Sequence, residues 1–214
     1  TLFPYTTLFR SRNIPLLLQL LAWYFVCTSL LPDASTPLSP LPHVYLSKGG
    51  LAFPALHLEG WKLQLAYPQA GRFDIEGGSL LSPEFMALLT ALTLYTAAYI
   101  AEVVRSGLQS VEHDQHEAAL LLGASGWQIF WRVVLPQALR AIIPPLTNQY
   151  LNLIKNSSLA VAIGYPDLVA VGNSALNQTG RAFECIAIIL SVYLLLSLFT
   201  ALLMARFNQR AVSA

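Results

Sequence analysis

Residues 185–205 read CIAIILSVYLLLSLFTALLMA, without a single charged side chain. A helix of about 20 apolar residues crosses the roughly 30 Å hydrocarbon core of a bilayer. A lone spanning segment must satisfy its own backbone hydrogen bonds, which leaves helix as the only conformation. Glu184 precedes the run, and Arg206 and Arg210 come after it. The whole chain agrees with this reading. It has 214 residues, 55% hydrophobic and 11% charged, against about 25% charged in an ordinary soluble domain. The net charge of +1 points to no nucleic-acid partner.

Three further stretches are predicted to span. Residues 14–31 carry no charge. In 85–105 the charges Glu102 and Arg105 come only at the exit, at a spacing that suits an ion pair. In 141–163, Pro144-Pro145 suit a helix start. Asn148, Asn152 and Lys155 then recur on one face, with Asn156 beside them. The expected fold class is therefore all-α integral membrane, a polytopic bundle of about four spans, with 184–205 the last. Residues 32–83 are rich in Pro and Gly and read as a long extramembrane loop. Within it, Leu51–Phe53 and Trp61–Tyr67 are expected as short strands or interfacial patches. Residues 164–181 read as a second loop, and 211–214 as a tail. Arg12, Arg105, Arg132, Arg140, Arg206 and Arg210 all fall on one side, so 106–140 and the C-terminus are expected to be cytoplasmic and 32–83 external. Thr1–Ser11 does not share the pattern of the residues after it. It resembles translated sequencing-adapter sequence, and an N-terminally truncated product is expected.

The segment between the second and third spans reads as two short helices. The first runs from about Asp114 to Leu122, with Ala118, Leu121 and Leu122 on an apolar face. Gly123 is placed to end it in the left-handed conformation. Ser125, with Gln128 three residues on, makes a capping box for the second helix. That helix carries Ile129, Phe130, Val133 and Val134 on one stripe and Trp127 and Trp131 at four-residue spacing. It is expected to lie along the membrane interface and to be limited by Pro136.

Glu117-Ala118-Ala119, Gly123, Val133 and Leu135-Pro136, at this spacing, resemble the EAA loop of ABC importer permeases, with Val133 where that pattern has Ile. The resemblance implies a coupling helix seated in a groove of a cytoplasmic ATPase, with Glu117, Ala118, Ala119 and Gly123 as contact positions and Leu135 and Pro136 completing the motif. Residues 12–19 and 152–159 resemble polar amino-acid permeases, and 177–193 resemble the general L-amino-acid branch. The resemblance covers about residues 12–210, the expected permease domain. It implies an inner-membrane transport subunit that works with an ABC ATPase dimer, a second permease subunit and a periplasmic amino-acid-binding protein.

A zwitterionic substrate needs a partner for each charge. Lys155 suits the carboxylate, and Glu184 or Asp167 the ammonium. Asn148, Asn152, Asn156 and Ser157 offer neutral hydrogen bonds. The competing reading has Lys155 snorkelling to the interface and the Asn residues joining helices, and Arg181 pairing with Glu184. No glycine is followed by Lys, so a phosphate-binding P-loop is excluded. The chain is expected to be no enzyme and to hold no cofactor, ATP being bound by the partner. Cys27 and Cys185 read as small buried hydrophobes. His113 and His116 alone do not make a zinc site. The alternatives are a secondary amino-acid transporter or channel, which needs paired broken helices near the midplane, and a non-transporting membrane anchor.

Overall fold

The computed structural model describes residues 13–59, 62–71 and 75–213. The expectation for Thr1–Ser11 lies outside them. Among the described residues, two helices are long and apolar enough to cross a bilayer: α2, Pro83–Gln109, and the greater part of α7, Ala182–Ser213. Each extends about 40 Å at 1.5 Å per residue. A third candidate is the bent pair Gly126–Ile163 and Leu168–Thr179, which meet at 55°. The predicted first span is shorter than expected. Helix α1, Leu16–Phe25, continues through a π turn to Leu30 and covers only about 22 Å. Pro15 sets its start: the residue before a proline is pushed out of the helical region, and Pro15 itself is extended.

The chain divides into two compact units. One comprises Ile14–Thr93 and Leu159–Ala170. Its sheet runs β1 (Leu38–Leu41), β2 (Val44–Ser47), β3 (Gly50–Phe53) and β8 (Ser79–Leu81), all antiparallel in the order β1-β2-β3-β8. The pairs β4 (Ala55–Glu59) with β5 (Lys62–Ala66) and β6 (Gln69–Ala70) with β7 (Ile75–Glu76) form two further hairpins. The spanning architecture is helical, but the loop 32–83 is thus built of strands, including those expected near Leu51–Phe53 and Trp61–Tyr67, Trp61 itself lying outside the described residues. Gly50 permits the tight sheet, because a Cβ there would lie 2.1 Å from the carbonyl oxygen of Leu81. Ser47 is fully buried, and its Oγ accepts from the Gly49 N–H at 3.2 Å.

The other unit comprises residues 94–158 and 171–213. After α3 (His113–Leu121), the chain enters α4 (Gly126–Ile129), a π turn (Phe130–Val134) and α5 (Leu135–Asn156), which ends in a 3-10 stretch Ser157–Ile163. Pro136 therefore does not stop the second short helix. The helix widens instead, Leu135 N–H bonding back to Phe130 O, and Pro136 falls in the first turn of α5, directly after that wide turn. Pro144 and Pro145 likewise lie inside α5 and do not start it. They deprive the carbonyls of Arg140 and Ala141 of their helical donors. Ala141 and Pro145 line a cleft of about 290 Å³ with Glu102, Val103, Ser106, Gly107 and Ser110, and such neighbouring helices are what make prolines tolerable in membrane helices. The predicted loop 164–181 contains a helix, α6 (Leu168–Thr179). Asp167 caps it, its Oδ1 accepting from Ala170 N–H at 2.8 Å. An Asp before an apolar run was the available signal.

Helix α7 packs on α5 through a half-buried stripe of Ile189, Tyr193, Ser197, Thr200 and Met204. Leu190, Leu194, Leu195, Leu198 and Leu202 point outward and are exposed. An apolar exterior of this kind is costly in water and stable in lipid. Helix contacts in this unit use small residues, as membrane helices do. At Gly172 a Cβ would meet Ile189 Cδ1 at 2.4 Å. At Gly107 a Cβ would lie 2.2 Å from Ile142 Cγ1 and 3.3 Å from Ala138 O. Gly107→Val is therefore expected to lower stability in detergent by about 1–3 kcal/mol, read as a drop in melting temperature. Adding Ile142→Ala should restore part of it. Unchanged melting of the single variant would mean that α2 and α5 are not held this close.

Candidate functional site

The first candidate is the turn between α3 and α4. Gly123 has φ +80°. Ala124 N–H donates to Ala119 O at 3.1 Å and Gly123 N–H to Leu120 O at 2.9 Å. This is the paired Schellman arrangement, which consumes the orphan carbonyls of the helix end. Two residues on, Ser125 N–H donates to Gln128 Oε1 at 2.9 Å and Gln128 N–H to Ser125 Oγ at 3.4 Å, the anticipated capping box. One helix is closed and the next opened within a few residues, with bonds local to the chain. Ile129 anchors the turn, only 1% exposed. A side-chain hydrogen bond from Gln137 to Gln115 ties α3 to α5.

The surface of this turn is apolar. Leu121 is 90% exposed, Leu122 88% and Trp127 71%. Glu117 and Ala118 are exposed and Ala119 half-buried beside them. Trp127 and Trp131 meet edge to face, centroids 5.4 Å apart. The predicted apolar face of α3 thus exists but is turned to the outside, with the exposed carboxylates of Asp114 and Glu117 on the same helix. Leu135 and Pro136 are half-buried at the junction with α5 and do not share that surface.

The second candidate is a cleft of about 240 Å³ between α2 and α5. Tyr95, Thr96 and Tyr99 line it from α2, and Gln149, Asn152, Leu153 and Asn156 from α5. The phenol hydroxyls of Tyr95 and Tyr99 lie 3.3 Å apart, with ring centroids at 4.9 Å. Thr96 is 9% exposed. At about 100° per residue, the four α5 residues occupy roughly 100° of arc.

The chain from residue 1 to 213 matches the family model of the binding-protein-dependent transport system inner membrane component. It belongs to that family. The general L-amino acid transport system permease protein AapQ of Rhizobium johnstonii is 39% identical over 255 residues, covering 93% of this chain and 64% of that protein. The glutamate/glutamine/aspartate/asparagine transport system permease protein BztB of Rhodobacter capsulatus is 50% identical over 153 residues, covering 71% of this chain and 36% of that protein. This chain therefore spans less than two thirds of the length of either relative. A crystal structure of an amino acid ABC transporter with histidines has a similar fold, with TM-score 0.63, 26% identity, and coverage of 95% of this chain and 72% of that chain. The chain is thus a multi-pass membrane protein of the permease family.

Of the residues expected along a path in this family member, Asn152 and Asn156 line the cleft. Asn148 and Lys155 do not; at about 100° per residue they fall roughly 40–60° beyond its edge, and both are exposed. Ser157 Oγ donates to Ile154 O at 2.7 Å. Glu184 is exposed in the first turn of α7, where a carboxylate complements the helix dipole, and it does not pair with Arg181. Glu102 does pair with Arg105, the Arg105 Nε donating at 3.0 Å. Gln149, Tyr95, Thr96 and Tyr99 escaped notice in the sequence. Their signal was a Tyr pair four residues apart in an otherwise apolar span.

Around Gly123 the restraint is the backbone alone, since a Cβ there would meet nothing within 4 Å. Gly123→Ala is expected to loosen the end of α3 by about 1–2 kcal/mol, the left-handed penalty, and Gly123→Asn by less. Amide hydrogen exchange across residues 117–124 reads this directly. Equal protection in all three proteins would show that the cap does not hold the turn.

Proposed function

We propose that this chain is a membrane-spanning subunit of an ATP-driven importer for polar or general L-amino acids, without an ATPase of its own. The observation that carries the reading is the Schellman-capped turn with Leu121, Leu122 and Trp127 exposed beside Glu117, Ala118 and Ala119. Three large apolar side chains on a rigid, polar-rimmed turn suit burial in a groove of a separate protein. In this reading the groove belongs to a cytoplasmic ATPase, one of a pair. A second permease subunit completes the pore, and a binding protein delivers the amino acid from outside. The turn and the C-terminus then face the cytoplasm. Small Ala118 and Ala119 permit close docking, and Glu117 offers a charge to the partner.

Asn152 and Asn156 of the cleft belong to the translocation path in this reading. Movement of the ATPase pair reaches them through one helical element, because Gly126–Ile163 runs on from the docking turn.

The test uses Leu121→Asp and Gly123→Pro, expressed with the partner subunits. Proline cannot adopt φ +80°, so the second variant destroys the turn. Both are expected to insert in the membrane at normal levels, to lose at least tenfold in co-purified ATPase, and to lose ATP-dependent amino-acid uptake. Normal uptake by Gly123→Pro would sink the proposal. Uptake that survives ATP depletion and collapses with the ion gradient would favour a secondary transporter.

A further inference from the structure

We infer that Arg132 and Arg140 form a site for the phosphate of an anionic phospholipid, with Trp131 and Leu139 against its acyl chains. The inference uses only the membrane-spanning character of the chain, so it stands apart from the importer reading. Both arginines belong to one continuous helical element, Gly126–Ile163. Their spacing amounts to about 12 Å of rise and a little over two turns, which puts them on the same side of it. Each directly follows a large apolar residue, Trp131 and Leu139, and all four side chains are exposed. The packed side of the element carries Ile129, Ala138 and Ile142, all buried.

Arg140 directly precedes the span read at 141–163, which places it at the edge of the hydrocarbon. An arginine there lays its stem on apolar surface and turns its guanidinium toward the headgroups. Arg132 lies further out along the helix and reaches inward to the same layer. A planar guanidinium matches phosphate oxygens with paired hydrogen bonds. Both guanidiniums are available for this: among the described residues, the ion pairs are Arg105 with Glu102 and Lys48 with Asp33. Trp131 is held by rings on two sides, edge to face with Trp127 at 5.4 Å and with Phe130 at 5.6 Å between centroids. A fixed indole is a common anchor at headgroup depth, and here it adjoins the cation. A zwitterionic lipid also carries phosphate, but it brings an ammonium that the second guanidinium repels. The pair therefore favours lipids of net negative charge, as basic clusters at a membrane surface do.

The experiment reconstitutes the full chain in phosphatidylcholine vesicles and follows the fluorescence of Trp131 alone, with Trp23, Trp61 and Trp127 replaced by Phe. Brominated phosphatidylglycerol and brominated phosphatidylcholine, which quench indoles they touch, are added at equal mole fraction. Quenching is expected to show a preference for phosphatidylglycerol of at least about threefold. Arg132→Gln with Arg140→Gln should abolish that preference, and each single variant should reduce it. Arg132→Lys should retain part of it, and Arg206→Gln, on α7, all of it. Circular dichroism confirms that each variant keeps its helices, and the single and Lys variants carry the test if the double variant does not. Equal quenching by the two lipids, or a preference that survives in the folded Gln variants, would overturn the inference. So would a Trp131 that neither lipid quenches, which would mean that protein covers this face. Loss of the preference on adding millimolar glycerol phosphate would assign the arginines to a soluble anion instead. None of these outcomes depends on transport, so the importer reading is tested separately.

Discussion

A chain that enters hydrocarbon must satisfy its own backbone, and this constraint shapes residues 126–163 more than any side chain does. The stretch contains Pro136, Pro144 and Pro145, each of which removes a donor from the helix. A soluble protein would end its helix at such points. Here the chain widens into a π turn before Pro136 and carries Pro144-Pro145 within the helix beside a cleft shared with α2. The turn at Gly123 therefore leads directly into the helical element that carries the amide-lined cleft.

The rest of that unit is arranged around this element. Because α5 continues in one direction, α7 can pack along it through a single stripe and leave its leucines to lipid. Gly107 then lets α2 approach α5 closely, and further along the same two helices the gap between them becomes the polar cleft. Small residues set the contact, and larger polar ones occupy the space where the helices part. The neutral lining avoids the desolvation penalty that a buried charge would carry in such a place.

Much of this was legible in the sequence. Long charge-free runs located α2 and α7, because hydrocarbon thickness imposes a length that composition can meet or fail. The capping box at Ser125 and the left-handed Gly123 were readable because their bonds join residues a few positions apart. What escaped had non-local causes. Prolines read as helix boundaries at 136 and 144, since their tolerance depends on neighbours that a linear reading does not see. Residues 168–179 looked like a loop because Pro166, Asp167 and Asn173 read as loop residues, whereas Asp167 caps a helix. The strands of 32–83 are short, and Pro and Gly dominate the local pattern there. Asn152 and Asn156 were found as members of a polar stripe. Tyr95 and Tyr99 were not, because their role depends on a second helix. Asn148 and Lys155 share the stripe but not the cleft, a distinction of a few tens of degrees about the axis.

The turn at Gly123 has a further consequence for association. Its shape is held by bonds between residues 119, 120, 123, 124, 125 and 128, all within one short stretch of chain. A surface organised in this way is in its final form before anything touches it. Docking then loses little conformational entropy at the turn, and more of the free energy of burying Leu121, Leu122 and Trp127 is retained as affinity. In the importer reading, an interface at this turn forms and dissolves as a rigid body, without folding and unfolding a segment at each engagement.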